Sequence, residues 1–217
     1  MLLKKLDVLR KLNEGYAIAV IRGESSEDAY QIAKHSFNGG IRSLEITFTT
    51  PGAEKVIAEL VADGNPNMIV GAGTVLDAIT ASIAIMNGAQ FIVSPHFDKD
   101  IALLCNRYST PYLPGCATIT EILKAVSYGV DVIKLFPGGH LGPSFMKDIK
   151  GPLPHVQLMP SGGVSIDNVE KWITNGAFAV GIGSALTKNR VTGDYSSVKK
   201  TAREFTEKIQ SIQGIYH

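Results

Sequence analysis

Eight short apolar runs recur along the chain about 20 to 26 residues apart, and this rhythm restricts the possible folds more than any other feature. Stretches with apolar residues at helical spacing separate the runs. Alternating strands and helices are typical of parallel βαβ units, and eight units fit a (β/α)8 barrel better than an open doubly wound sheet. The runs cover residues 17–21, 43–47, 68–70, 91–93, 112–113, 132–135, 156–159 and 177–181.

The segment before the first run adds an N-terminal helix to this fold. Leucines at positions 3, 6, 9 and 12 lie on one face of a helix over residues 2–13, and Gly15 follows its end. No linker or low-complexity segment divides the 217 residues. We therefore predict one domain over residues 1–217, a (β/α)8 TIM barrel of the α/β class with an N-terminal helix.

Composition excludes several classes of partner. The net charge is +1, which argues against a nucleic-acid partner, and no apolar run approaches the roughly 20 residues of a membrane span. The two cysteines, Cys105 and Cys116, form no CxxC pair, and the N-terminus shows no signal-peptide pattern, so we expect reduced thiols and a cytoplasmic protein. The five histidines lack metal-ligand spacing, and no protein metal site is expected.

One lysine lies inside an apolar run. Lys134 is the third residue of the sixth run, where an ammonium group would be costly to bury. A lysine that loses its proton becomes a nucleophile. Taken alone, the same pattern also fits an outward-pointing lysine or one that is paired with a carboxylate.

A glutamate in the second run helps to decide between these alternatives. Glu45 points to the same side of its strand as Thr47, and a glutamate there is costly unless it is paired. Glu45 and Lys134 either form a core ion pair or act as a general acid/base beside an amine nucleophile. The sequence favours the second interpretation, because a buried ion pair by itself stabilises a fold little.

Glycine-rich segments follow the last two runs. Ser161-Gly162-Gly163 follows the seventh run, and Gly183-Ser184 follows the eighth. Barrels commonly bind phosphate with the loops after strands 7 and 8, because glycines let backbone N–H groups approach an anion. These segments predict a phosphate site, although tight turns without a ligand have the same composition.

The sequence leaves the roles of two further strand ends open. Arg22 after the first run suits a bidentate carboxylate contact or, equally, a salt bridge at the barrel rim. The segment Gly71-Ala72-Gly73-Thr74 after the third run suits either a substrate-binding loop or a helix cap.

Several motifs together resemble one known family. The segments 44–49, 71–75, 93–96, 114–115, 133–137, 161–164 and 181–184 read LEITFT, GAGTV, VSPH, PG, IKLFP, SGGV and GIGS. In this order and spacing they resemble the 2-keto-3-deoxy-6-phosphogluconate (KDPG) aldolases, which also act variably on 4-hydroxy-2-oxoglutarate (KHG). The resemblance spans about residues 17–184.

The resemblance implies a class I aldolase on an α/β barrel, typically a homotrimer, with no metal and no cofactor. Lys134 matches the Schiff-base lysine, and Glu45 matches the general acid/base. The matching substrate positions around the pyruvate moiety are Thr74 and Pro95, and Phe136 and Ser161 are expected in the same pocket. The residues that match or adjoin the phosphate cradle are Gly162, Gly163, Gly183 and Ser184.

The sequence departs from many members of the family at position 49. Those members have an arginine there that helps to hold the substrate carboxylate, whereas this chain has Thr49. The carboxylate is then expected to contact Arg22 and Thr74, and Thr49 is expected among the substrate-binding residues. Residues 114–118, PGCAT, look more like the related phosphogalactonate aldolases, so the sugar configuration stays open.

The expected reaction is cleavage of KDPG to pyruvate and glyceraldehyde 3-phosphate, as in the Entner-Doudoroff pathway, with possible cleavage of KHG to pyruvate and glyoxylate. One alternative is a 2-keto-3-deoxy-6-phosphogalactonate (KDPGal) aldolase. A phosphosugar epimerase or isomerase is disfavoured, because Glu45 is the only carboxylate within a core run. A non-catalytic barrel that binds a phosphorylated metabolite is the alternative from another class.

Overall fold

The computed structural model describes residues 3–191 and 193–216, and eight parallel strands form its centre. Each strand is followed by at least one helix, as the alternation of runs predicts. The strands are β1 (Ala17–Ile21), β2 (Ser43–Thr47), β3 (Ile69–Gly73), β4 (Ile92–Ser94), β5 (Tyr112–Cys116), β6 (Val132–Leu135), β7 (Gln157–Pro160) and β8 (Val180–Ile182).

The strands lie in the order β7-β6-β5-β4-β3-β2-β1-β8, so that chain neighbours are also sheet neighbours except where β1 meets β8. In the β1–β2 register, Val20 lies opposite Glu45. A parallel bridge between Ser161 and Gly181 joins the ends of β7 and β8 and brings the two edges of the sheet together. This arrangement confirms the (β/α)8 barrel. The single domain over residues 1–217 stays a prediction.

The helices surround the strands and include the predicted N-terminal helix. They are α1 (Lys4–Gly15), α2 (Ser26–Asn38), α3 (Ala53–Ala62), α4 (Ala78–Met86), α5 (Lys99–Arg107), α6 (Ile119–Ser127), α7 (Gly138–Lys150), α8 (Val169–Thr174), α9 (Ser184–Thr187) and α10 (Ser196–Tyr216). In the described part of the chain, none of them has the length and hydropathy needed to cross a membrane.

Side-chain caps fix where several helices begin. Ser25, Asp77 and Asp98 each accept a hydrogen bond from the backbone N–H three residues later. Thr118 and Glu121 form a reciprocal capping box at the start of α6. These caps place the strand-to-helix loops, which carry the polar strand ends, in fixed positions on one side of the barrel.

Two separate layers of apolar side chains make up the core. The larger layer lies between strands and helices and includes Trp172 and Phe205. The smaller layer fills the barrel interior and includes Phe91 together with Val8 and Leu12 from α1. Helix α1 therefore covers the N-terminal end of the barrel. The interior below the opposite end is packed, which leaves the C-terminal ends of the strands as the place for a pocket.

Two helices near the C-terminal strand ends differ from the sequence expectation. Helix α7 begins at Gly138 instead of near residue 144, and Gly142 interrupts it with φ 74°. The short helix α9 was not expected, because four residues are too few to show a helical period.

Candidate active site

A cavity of about 390 Å³ lies at the C-terminal ends of the strands. Eleven of the twelve residues that the sequence assigns to the site line this cavity. They are Arg22, Glu45, Thr74, Pro95, Lys134, Phe136, Ser161, Gly162, Gly163, Gly183 and Ser184. The twelfth, Thr49, is not among the lining residues. The fold thus brings together residues that are up to 162 positions apart.

Lys134 and Glu45 form the chemical centre of this cavity. Strands β6 and β2 place Lys134 Nζ 3.7 Å from Glu45 Oε1, and the two side chains are 7% and 0% exposed. Among the described residues, neither carboxylate oxygen of Glu45 has a hydrogen-bond partner within the usual distance. The pair is therefore close enough for proton exchange through a bound group, while both oxygens stay available to that group.

Burial gives Glu45 the character of an acid as well as a base. Loss of water around the carboxyl raises its pKa above the ordinary value, and the positive charges of Lys134 and Arg22 offset only part of this rise. A raised pKa keeps part of the population protonated at a pH where an exposed glutamate is ionised. Such a group can donate and accept protons within one reaction cycle.

The aromatic ring of Phe136 covers one side of the lysine. Lys134 Nζ lies 5.2 Å from the centre of this ring, and the ring also faces Gly162. Phe136 follows β6 directly, so the same strand end supplies both the amine and an apolar wall. This wall limits the access of water to the amine.

Thr49 contributes through Arg22 instead of through the cavity wall. The Arg22 Nε–H donates to Thr49 Oγ1 at 3.0 Å, and Thr49 Oγ1 lies 2.9 Å from Thr47 Oγ1. The Thr47 hydroxyl in turn donates to the Ile21 carbonyl. This chain of hydroxyl groups fixes the root of the guanidinium group at the mouth of the cavity.

Thr74 and Pro95 form the wall at the ends of β3 and β4. Thr74 has φ 53°, a left-handed conformation that is uncommon for a threonine. Residues held in such conformations cluster at ligand sites, where the surrounding structure supports the cost. Pro95 packs its carbonyl against Gly115 of β5, where any side chain would collide with it.

The glycine-rich segments after β7 meet the start of α7. Gly162 and Gly163 have φ values of 83° and 79°, which favour glycine. The Gly138 N–H donates to the Ser161 carbonyl at 2.8 Å, and a Cβ on Gly163 would lie 2.7 Å from Gly139 Cα. Backbone therefore packs on backbone here, and the cavity has a wall of peptide groups that an anion can approach.

A family model described as KDPG and KHG aldolase matches residues 8–201. The chain belongs to this aldolase family. The KDPG aldolases are carbon–carbon lyases. Over 202 residues, this family member is 32% identical to the 2-dehydro-3-deoxy-phosphogluconate aldolase of Treponema pallidum, with 92% of this chain and 96% of the relative covered. It is also 30% identical to the 2-dehydro-3-deoxy-6-phosphogalactonate aldolase of Escherichia coli, with 86% and 89% covered.

Among solved structures, this KDPG/KHG aldolase family member resembles the KDPG aldolase of Legionella pneumophila with pyruvate captured as a covalent carbinolamine. The TM-score is 0.81 at 27% identity, with 90% of this chain and 96% of the other covered. In the described part of the aldolase chain, no three His, Cys, Asp or Glu residues cluster as metal ligands.

Three lining residues of the aldolase cavity were missed from sequence, namely Val20, Val164 and Thr187. Val20 lies two residues before Arg22 on the same side of β1, so the alternation of a strand could have identified it. Thr187 belongs to α9, which the sequence did not predict.

Proposed function

We propose that the protein is a class I aldolase that cleaves KDPG to pyruvate and glyceraldehyde 3-phosphate. The observation that carries this proposal is the buried Lys134–Glu45 pair, with 3.7 Å between Nζ and Oε1, at the bottom of a cavity with a glycine-rich wall. An amine nucleophile, an acid/base group and an anion site are the three parts that this reaction needs.

The reaction begins when the neutral amine of Lys134 attacks the C2 ketone of the substrate. The new N–C2 bond gives a carbinolamine, and Glu45 donates the proton with which the C2 hydroxyl leaves as water. The product of this step is a protonated imine that acts as an electron sink. No metal is needed in this scheme to accept the electrons of the bond that breaks.

Cleavage and release follow from the same two residues. The C4 hydroxyl loses its proton to the Glu45 carboxylate as the C3–C4 bond breaks, and the bond electrons move to the imine. Glyceraldehyde 3-phosphate leaves, and the Glu45 carboxyl gives the proton that it took from the C4 hydroxyl to C3 of the enamine. Water then hydrolyses the protonated imine to pyruvate and the free lysine, and the Glu45 carboxylate takes up the proton that is released. The unpartnered oxygens of Glu45 suit this alternation of roles.

Arg22 is the proposed anchor for the carboxylate of the substrate. It lines the cavity, and its guanidinium group is held by Thr49. A guanidinium group matches a carboxylate with two parallel hydrogen bonds. Thr49 thus holds the guanidinium group in place. Thr74, at the end of β3, is the second proposed contact of the substrate carboxylate. This arrangement takes the place of the arginine that many family members have at position 49.

The phosphate group of the substrate is proposed to bind the wall formed by Gly162, Gly163, Gly183 and Ser184. These residues line the cavity at the ends of β7 and β8, whereas Glu45 lies on β2. Binding energy from this remote group orients the C3–C4 bond over the reacting pair. The Phe136 ring lies 5.2 Å from Lys134 Nζ and faces Gly162 of this wall, and Ser161 directly precedes Gly162.

KDPGal and KHG are the alternative substrates, since the named relatives include a phosphogalactonate aldolase and KHG/KDPG aldolases. The discriminating experiment measures pyruvate release from KDPG, KDPGal and KHG. We expect a preference for one phosphorylated substrate and slower cleavage of KHG, which lacks the phosphate. Equal rates with KHG would contradict a phosphate site.

The same assay separates the rival functions. Lys134→Met should abolish pyruvate release and Glu45→Gln should slow it greatly, with circular dichroism as the control for folding. Loss of activity in a chelator would favour a metal-dependent epimerase. Binding of KDPG without any pyruvate release would favour a non-catalytic metabolite-binding barrel.

A homotrimer in the cytoplasm is proposed as the state of the enzyme. Large apolar side chains lie exposed along α4 and just before it, and α6 adds two more. They are Leu76, Ile79, Ile83, Met86, Ile119 and Leu123. Large exposed apolar patches mark interfaces, and the four side chains on and just before α4 are the proposed centre of this one. Light scattering should give three times the 23.2 kDa chain mass, and Ile79→Glu should lower it. A monomer at micromolar concentration would contradict this state.

A further inference from the structure

We propose that Gly73 is a positioning residue, which holds the Glu45 carboxylate in place because it has no side chain. This inference rests on the proposed acid/base function of Glu45. Gly73 acts through the space that it leaves beside Glu45, and not by contact with a substrate.

The geometry of the two neighbouring strands creates this relation. In the β2–β3 register, Glu45 lies opposite Gly71, and Thr47 lies opposite Gly73. The Glu45 side chain extends toward the C-terminal end of the barrel and reaches the level of Gly73. A Cβ on Gly73 would lie 2.6 Å from Glu45 Cγ and 2.7 Å from Cδ. Real Cβ atoms essentially never approach a neighbour within 3.0 Å.

Space, and not backbone conformation, is what requires glycine at this position. Gly73 is absent from the residues with positive φ, unlike Gly162 and Gly163. It ends a regular strand, and its carbonyl accepts a hydrogen bond from the Phe48 N–H at 2.8 Å. An alanine could adopt this backbone without strain. The cost of an alanine would therefore fall on the side chain of Glu45.

Glu45 cannot yield to an added methyl group without leaving its place near Lys134. The backbones of β2 and β3 are held by their pairing, so the Glu45 side chain has to give way, and the open space beside it is the cavity itself. Ordinary contact distances of about 3.5 to 4 Å require the Cγ and Cδ atoms to move by about 1 Å. A misplacement of about 1 Å in a catalytic arrangement can cost about 100-fold in rate.

Gly71 provides a matched control on the same strand. Its added Cβ would lie 2.5 Å from the ring of Phe91 in the barrel interior, and none of the three nearest atoms belongs to Glu45. Gly71→Ala therefore disturbs packing to a similar degree, but it does so below the site. A purely structural effect of crowding would act alike in both variants.

The test follows exchange of the pyruvate methyl protons in D2O by NMR, with trapping of the pyruvate imine by borohydride as a second readout. Exchange needs both the Lys134 imine and a proton-transfer group, whereas trapping at equilibrium needs only the imine. We expect Gly73→Ala to lower exchange and the kcat for KDPG cleavage about 100-fold while trapping persists. If Gly71→Ala folds, its exchange rate divided by its amount of trapped imine should equal that of the wild type.

Glu45→Asp should restore stability to Gly73→Ala, because the shorter side chain leaves room for the methyl group. Gly73→Ala/Glu45→Asp should unfold at a higher urea concentration than Gly73→Ala. The double variant also tests the proposal if Gly73→Ala alone fails to fold. Unchanged exchange in Gly73→Ala, or a double variant no more stable than the single one, would overturn the proposal. Unchanged exchange and cleavage in Glu45→Gln would instead overturn the acid/base function itself.

Discussion

A partly buried ion pair between Arg190 and Asp28 is expected to hold the mouth of the cavity together. Asp28 in the first turn of α2 also accepts hydrogen bonds from the Glu24 N–H at 3.0 Å and the Tyr195 hydroxyl at 2.8 Å. Arg190 follows α9, and Glu24 belongs to the loop that carries Arg22. The cluster therefore joins the proposed carboxylate anchor to the proposed phosphate wall.

The exposure of the two side chains determines the loss of stability expected for Arg190→Met. The Arg190 and Asp28 side chains are 16% and 12% exposed. Removing one partner of a fully buried pair costs about 3–5 kcal/mol. Asp28 keeps two other donors. We therefore expect Arg190→Met to lower the free energy of unfolding by about 2 kcal/mol, within the range for one charged hydrogen bond. For a chain of this size, that is a Tm decrease of about 4–8 °C.

The pKa of Asp28 adds a pH dependence to this prediction. Burial alone would raise this pKa, but the hydrogen bonds from Glu24 and Tyr195 and the charge of Arg190 outweigh burial and lower it below 3.8. A lowered pKa contributes stability above the ordinary value, and this contribution is lost as pH falls through the folded-state value. The difference between wild type and Arg190→Met should therefore shrink below about pH 4.

Urea unfolding of Arg190→Met, Asp28→Asn and the double variant measures the effect. The double-mutant cycle should give a coupling of at least about 1 kcal/mol. Lys34→Met is the control, because the Lys34–Asp63 pair is more exposed and should contribute less than about 1 kcal/mol. A loss below about 0.5 kcal/mol with no coupling would refute the idea that this cluster stabilises the mouth of the cavity.

Two further predictions concern the anchor and the thiols. Arg22→Met should raise the KM for KDPG about 10- to 100-fold in steady-state assays, because one charged hydrogen-bonded contact is worth about 1.5–3 kcal/mol; an unchanged KM would remove Arg22 as the anchor. Burial raises the pKa of both Cys105 and Cys116 to about 12, so Ellman's reagent at pH 8 should label neither thiol in the native protein and both in urea. Rapid labelling of the native protein would contradict the burial.

The alternation of apolar runs predicts this fold well because each strand of a covered parallel sheet must be apolar. The boundaries of single strands do not follow from the runs, because an apolar run marks burial and not strand pairing. The eighth run begins at residue 177, whereas β8 begins at Val180. The Ala177 N–H still bonds to the Trp172 carbonyl, so this part of the run belongs to the end of α8.

The candidate site was predictable where the chemistry depends on residue type. Lys134 and Glu45 are unusual residues for apolar strands, and the glycine-rich segments after β7 and β8 are local patterns. The support for these residues was not predictable. Thr49 acts on Arg22 across two strand ends, and Gly73 acts through space beside Glu45. Contacts between strands depend on register, which the sequence of a single strand does not contain.

Mass spectrometry of the protein after borohydride reduction with pyruvate tests the central claim most directly. Reduction of the imine should add one pyruvate-derived group to the chain, and peptide mapping should place this group on Lys134. Lys134→Met under the same conditions should remain unmodified. A chain without an adduct, or with the adduct on another lysine, would contradict the proposal that Lys134 is the Schiff-base residue.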